Sequence, residues 1–156
     1  MRIRGVVSSG LGRAHIFMSK SHYQDQFKRI LGKTAWPGTL NLSVEGGYFI
    51  NHLALRLLAG LDSKEVDSAL KVSATEVDTS ALQPRRVEGF QRDGISFGGA
   101  TAFLADIIVA GTDLPCAVLI PDLTRHIDVV EVIAGLFLRE HLDLVDGDVL
   151  NLVIHA

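Results

Sequence analysis

Thr39 and Asn41 stand two residues apart in the run Trp36-Pro37-Gly38-Thr39-Leu40-Asn41-Leu42. Alternate side chains of a strand point to opposite faces, so Leu40, Leu42 and Val44 face one way and Thr39 and Asn41 the other. The leucines enter a core while a hydroxyl and an amide oxygen stand side by side on the opposite face. Neutral oxygens of this kind suit a hard cation such as Mg²⁺, which keeps most of its waters and shares substrate phosphates. That points to phosphoryl transfer without a Walker motif. Thr and Asn are also common on solvated strand faces, so the pair gains its meaning from what surrounds it.

About one helix upstream lies Ser9-Gly10-Leu11-Gly12-Arg13-Ala14-His15. It lacks the Gly-Lys-Ser/Thr ending of a P-loop. It is not a Rossmann fingerprint either, because Ile16-Phe17-Met18 reads as extended rather than helical. Its bland reading is a tight loop. Its functional reading is a cradle of backbone N–H groups for phosphates, with Arg13 adding charge.

Two further segments carry chemistry. Glu131 sits in the apolar run Val129-Val130-Glu131-Val132-Ile133. A carboxylate there is costly unless it is paired or faces a cleft. It is either an outward-facing strand residue or a buried acid, and burial would raise its pKa and suit it to taking a proton from a hydroxyl. In Leu136-Phe137-Leu138-Arg139, the guanidinium either reaches a phosphate or pairs with a carboxylate. The six histidines show no metal-ligand spacing,. Ser8 and Ser9 lack the context of a nucleophile elbow.

The elements that must position these groups are short. Arg2 to Val7 reads as a strand into the glycine turn. Ser21 reads as an N-cap before Tyr23, Phe27, Ile30 and Leu31, with Gly32 ending the helix. Thr39 to Val44 is a strand. A helix is expected over His52 to Ala59 with Asn51 as cap and Gly60 as stop, then a second ending near Leu70 after Asp62-Ser63-Lys64-Glu65. Ser73 to Pro84 is polar and irregular. Val87 to Gln91 and Ile95 to Phe97 flank the hairpin signal Arg92-Asp93-Gly94. Ala102 to Val109, Ala117 to Ile120, Val129 to Ile133 and Val149 to Ile154 are further strands, and Leu136 to Leu142 a short helix. Many short strands with glycine turns favour a closed β-barrel over a doubly wound sheet.

Bulk properties narrow the class. The 156 residues suffice for one domain with a real core,. A net charge of −3 gives no basic footprint for nucleic acid,. No apolar stretch is long enough to span a bilayer, and the N-terminus lacks the apolar stretch of a signal peptide. The single cysteine, Cys116, lies in an apolar run and excludes a disulfide framework, which fits a reducing cytoplasm,.

Taken together, the segments resemble the archaeal-type, CTP-dependent riboflavin kinases. The resemblance rests on Val7-Ser8-Ser9-Gly10-Leu11-Gly12, Phe17-Met18-Ser19, Tyr23 with Gln26-Phe27, and Leu31-Gly32. It continues through Pro37 to Leu42, Val118 to Pro121, Thr124 with His126, Val130 to Ala134, Leu138-Arg139-Glu140 and Leu144 to Asp148. It implies a six-stranded cradle-loop barrel with a few short helices. A single domain over residues 1–156 is expected, with a helical insertion at about 51–84. The implied reaction is CTP + riboflavin → CDP + FMN, with Mg²⁺ as cofactor. The resemblance assigns Gly10, Leu11, Gly12, Arg13, Ala14 and His15 to the nucleotide phosphates, and Leu136, Phe137, Leu138 and Arg139 to a second nucleotide contact. Thr39 and Asn41 match the metal ligands, and Thr124 and Glu131 match flavin contacts. Glu131 is also the candidate for orienting or deprotonating the acceptor hydroxyl. Ala14 stands where the family often has a third glycine. A cytoplasmic protein is expected, a monomer or small homo-oligomer with no nucleic-acid or membrane partner. The alternatives are a non-catalytic flavin- or nucleotide-binding barrel, which would form no FMN, and a cradle-loop DNA-binding regulator, which would bind DNA in a salt-sensitive way.

Overall fold

A computed structural model describes residues 1–10 and 14–156. The first strand alternates as its sequence does, with Ile3, Gly5 and Val7 buried and Arg2, Arg4 and Val6 exposed. In chain order the elements are β1 (Arg2–Ser8), α1 (Ala14–Met18), α2 (Ser21–Leu31), β2 (Leu40–Ser43), α3 (Gly46–Leu58), α4 (Ser68–Thr75) and β3 (Arg85–Val87). They continue with β4 (Phe90–Arg92), β5 (Ile95–Phe97), β6 (Ala100–Val109), β7 (Thr112–Pro121), β8 (Val129–Ile133), α5 (Leu138–His141) and β9 (Val149–Ile154).

Among the described residues, six antiparallel strands run in the order β6-β7-β8-β2-β1-β9, and β9 pairs back onto β6 to close the barrel. β3 pairs with the first part of β6, and β4 with β5 forms a separate hairpin. The barrel is filled by Ile3, Val7, Leu42, Phe103, Ile107, Val118, Val130, Val132 and Leu152. Each aliphatic side chain sealed there contributes about 2 kcal/mol of burial. A second cluster lies outside the barrel, where Met18, Tyr23 and Phe27 cover Ala102, Ala117, Leu119 and Ile133. β6 and β7 are thus buried on both faces where α2 lies over them, which explains their continuous apolar runs. Cys116 is sealed in the barrel, and burial, then Asp106, pushes its thiol up to about 12, far from a reactive thiolate,.

Most expected strands are found with small changes of boundary, while the one expected at Ala117 to Ile120 begins at Thr112, and Gly32 ends α2 in the left-handed conformation at φ 78. Asp93 and Gly94, with φ of 53 and 75, make the tight turn between β4 and β5,. Five expectations are corrected. Residues 16–18 are helical, because α1 turns Met18 into the outer cluster and leaves Phe17 against Phe97. Lys20, without a side-chain cap bond, precedes α2 instead of Ser21. The helical segment begins at Gly46, so Asn51 lies inside α3, where its amide reaches the Arg2 carbonyl at 2.8 Å. The second helix is Ser68–Thr75, capped by Asp67, because the Ser63 hydroxyl is taken by Arg56 at 2.9 Å. The expected strand from Val87 to Gln91 breaks at Glu88, whose backbone N–H and C=O bond the Gln26 side chain at 2.7 and 3.0 Å. No helix among the described residues is long and apolar enough to cross a membrane.

Candidate functional site

Strand register builds the site. Asn41 lies opposite Ser8 on one side and Glu131 on the other, and Glu131 lies opposite Leu119. Leu40 and Leu42 are buried, as are Val130 and Val132, so Asn41 and Glu131 share the outer face of the barrel,. Thr39 precedes β2 and turns to the same side, its hydroxyl donating to the Asn41 amide oxygen at 2.9 Å. Burial raises the pKa of Glu131, and the polar Thr39 hydroxyl beside it opposes that rise. Both alternatives for Glu131 therefore meet: it faces outward from the barrel, into a covered polar row.

The glycine turn starts where this row ends. A Cβ placed on Gly10 would overlap the amide nitrogen of Asn41, so a side chain there has to push that amide aside. Gly10→Ala is expected to keep the barrel, because the residue is exposed, while displacing the Asn41 amide. A misplacement of that kind lowers turnover on the order of 100-fold, measured as kcat beside an unchanged melting curve. Of the other residues expected at the phosphates, Leu11, Gly12 and Arg13 lie outside the described residues. Ala14 and His15 form the start of α1.

Leu136, Phe137, Leu138 and Arg139 share one small cleft with Trp36, Gly38 and Thr39. The Trp36 backbone N–H donates to the Ala134 carbonyl at 2.8 Å, and the Trp36 ring stacks on Phe137 with centroids 4.9 Å apart and planes at 10°. Two flat side chains, nearly half exposed, thus form the wall of a cleft that ends at Thr39. Arg139 pairs with Asp146 at 2.7 Å and also reaches the Ser8 carbonyl at 3.2 Å. The Ser9 hydroxyl donates to the same carboxylate at 2.6 Å, and these two bonds, Ser9 first, hold Asp146 below the usual carboxylate range. The Ser9–Asp146–Arg139 strap ties the root of the glycine turn to α5. Asp146 and Ser9 were not among the residues expected from sequence, since nothing local in Asp146-Gly147-Asp148 marks a partner seven residues upstream.

Thr124 lies in the exposed loop after β7, where its hydroxyl accepts the His126 backbone N–H at 3.2 Å. The structure therefore gathers Thr39, Asn41, Glu131, Gly10 and the Leu136 to Arg139 segment around one face and leaves Thr124 on a neighbouring loop. Among the described residues no group of three or more His, Cys, Asp or Glu side chains is arranged to hold a metal ion. The two neutral oxygens of Thr39 and Asn41, with the Glu131 carboxyl across the strand pair, still fit a hard cation that takes its remaining ligands from water and phosphate.

A closed six-stranded barrel carrying this polar face is a riboflavin-kinase-like barrel. The chain belongs to the family CTP-dep_RFKase, described as a domain of unknown function (DUF120), which it matches over residues 7–68 and 64–154. It is 34% identical over 151 residues to a riboflavin kinase of Methanospirillum hungatei, covering 95% of this chain and 55% of that protein. It is 33% identical over 153 residues to a riboflavin kinase of Methanocorpusculum labreanum, covering 97% and 56%. A third, from Thermoplasma acidophilum, is 28% identical over 154 residues, covering 99% and 57%. The chain spans a little over half the length of these curated relatives.

Proposed function

We propose that this chain transfers the terminal phosphoryl group of CTP to the end hydroxyl of the riboflavin side chain, giving FMN and CDP. The observation that carries the reading is the Thr39–Asn41–Glu131 face, bounded by Gly10 on one side and by the Trp36 cleft on the other. Family membership and the relatives' names support the same reaction class. Transfers of this kind depend mainly on positioning and charge neutralisation, so a strong base is not required.

In this reading the backbone around Gly10 and Gly12 holds the phosphates, and Trp36 with Leu136 to Arg139 holds the rest of the nucleotide. Thr39 and Asn41 hold Mg²⁺, which when bound neutralises phosphate charge. Glu131 orients the acceptor hydroxyl, and its raised pKa makes it a better proton acceptor once ionised than a solvated carboxylate,. Thr124 contacts the flavin from the loop after β7. The protein works in the cytoplasm, where Cys116 stays reduced.

The direct test is to incubate the purified chain with riboflavin, Mg²⁺ and, in turn, CTP, ATP, GTP or UTP, following FMN by chromatography. FMN from CTP, in excess over the other three, is the expected result. No FMN from any nucleotide overturns the reading.

A further inference from the structure

One carboxylate is held between the two segments that border the Thr39–Asn41 pair. Asp146 Oδ2 accepts the Ser9 hydroxyl at 2.6 Å, and its Oδ1 accepts Nη2 of Arg139 at 2.7 Å. Both lengths are those of charge-assisted bonds. The same Nη2 donates to the Ser8 carbonyl at 3.2 Å. The turn that carries Asp146 is itself fixed. Gly147 takes the left-handed conformation at φ 98, and its N–H donates to the Val7 carbonyl at 2.9 Å. The Val7 N–H donates to the Asp148 carbonyl at 2.8 Å, and the Asp148 carboxylate takes the Val145 N–H at 2.9 Å. Asp146 is thus presented from a clamped loop.

Stability does not account for the arrangement. Asp146 and Ser9 are exposed, and exposed ion pairs add little to folding,. What the carboxylate controls is direction. Its first arm reaches the residue before Gly10, the glycine that stands against the Asn41 amide. Its second arm fixes the guanidinium of Arg139, which lines the cleft with Trp36 and Thr39. Nη2 makes both Arg139 bonds, and Nε and Nη1 meet no partner among the described residues. Those two groups remain as donors for an anion in the cleft. The two arms therefore bracket the Thr39–Asn41 pair from either side.

We infer that Asp146 is a positioning residue for the nucleotide: one carboxylate oxygen sets the entry to the glycine turn, and the other aims Arg139 into the Trp36 cleft. This rests on the proposed nucleotide site. Asp146 touches neither the substrates nor the cation and acts through Ser9 and Arg139. Its charge separates positioning from simple electrostatics. A carboxylate near a phosphate chain repels it, so electrostatics alone gives Asp146→Ala tighter nucleotide binding. Positioning gives the reverse. In Asp146→Asn the amide oxygen accepts from Arg139, and the NH₂ donates to the Ser9 hydroxyl, which accepts as well as donates. That variant keeps both arms and loses only the charge.

Trp36 is the chain's single tryptophan and stands in the cleft, so its fluorescence reports occupancy directly. The test titrates CDP with Mg²⁺ into wild type, Asp146→Asn, Asp146→Ala and Ser9→Ala, each with its melting curve. Asp146→Ala is expected to weaken CDP binding by roughly tenfold or more, Ser9→Ala by less, and Asp146→Asn by no more than about threefold. Ser9→Ala combined with Asp146→Ala should bind no more weakly than Asp146→Ala alone, because the Ser9 arm is already lost. In turnover the KM for CTP rises by a similar factor in Asp146→Ala, while the KM for riboflavin stays unchanged. CDP binding by a folded Asp146→Ala that equals or exceeds wild type overturns the inference, as does an equal loss in Asp146→Asn and Asp146→Ala. Should Asp146→Ala melt early, Ser9→Ala decides, and binding equal to wild type overturns the inference. No CDP binding in wild type also overturns it, and FMN formation then judges the kinase reading by itself. If wild type binds CDP, Asp146→Ala loses it and no FMN forms, the positioning role stands and the kinase reading falls.

Discussion

Changing Thr39 and Asn41 together to alanine is expected to leave a folded barrel that has lost FMN formation on the order of 100-fold or more. The fold does not depend on them. Leu40 and Leu42, which flank and separate them, are buried and anchor β2, while Thr39 and Asn41 are only partly buried on its outer side. Loss of both oxygens removes the groups proposed to hold the cation and leaves Gly10 without the amide it packs against. Thr39→Ala alone carries a second signature. The Thr39 hydroxyl is the polar neighbour that opposes the burial-driven rise of the Glu131 pKa. Its removal moves that pKa further up, so the acid limb of the pH–rate profile shifts to higher pH. Circular dichroism with steady-state kinetics across pH checks both points, and full activity in the double variant would falsify the metal assignment.

The parts of this architecture that were legible in the sequence are those set by local chemistry. β1 and β9 alternate, Asp93-Gly94 can only be a turn, and Gly32 supplies the left-handed end of α2. The Thr39–Asn41 spacing likewise fixed a shared face before any partner was known. What stayed hidden depends on contacts between distant segments. The break at Glu88 exists because Gln26 and His22, some sixty residues earlier, take its backbone bonds. The Ser63 hydroxyl does not cap a helix because Arg56 holds it. Placing Glu131 beside Asn41 requires the register of β8 on β2, and two short strands of similar length, one leucine-based and one valine-rich, specify it only once the barrel closes,. The Ser9–Asp146–Arg139 strap joins the two ends of the chain and has no sequence signature at all.

Between pH 7 and pH 4 the protein is expected to lose roughly 3 kcal/mol of stability through one side chain, His52. His52 and Arg56 sit one turn apart on the same side of α3, 3% and 5% exposed,. Arg56 donates its Nε to Ser63, while its Nη1 and the Nδ1 of His52 meet no hydrogen-bond partner among the described residues. Burial first, and the Arg56 charge second, push the His52 pKa down from 6.5 to about 4. The unfolded chain therefore takes up a proton as pH falls through 6.5, and the folded chain does not until about 4. Stability is full above the first value, declines across the interval, and is flat for this group below the second. The hydrogen-bonded carboxylates Asp78 and Asp146, both held below the usual range, add their own losses only at lower pH, while the raised pKa of Glu131 acts in the opposite sense, so it is the comparison with a His52 variant that isolates the histidine,. His52→Leu keeps the volume and removes the titration. Urea unfolding at pH 7 and pH 4.5 should show the drop in wild type and a much smaller one in the variant. An equal drop in both would place the acid sensitivity elsewhere and show that His52 is protonated in the folded state without penalty.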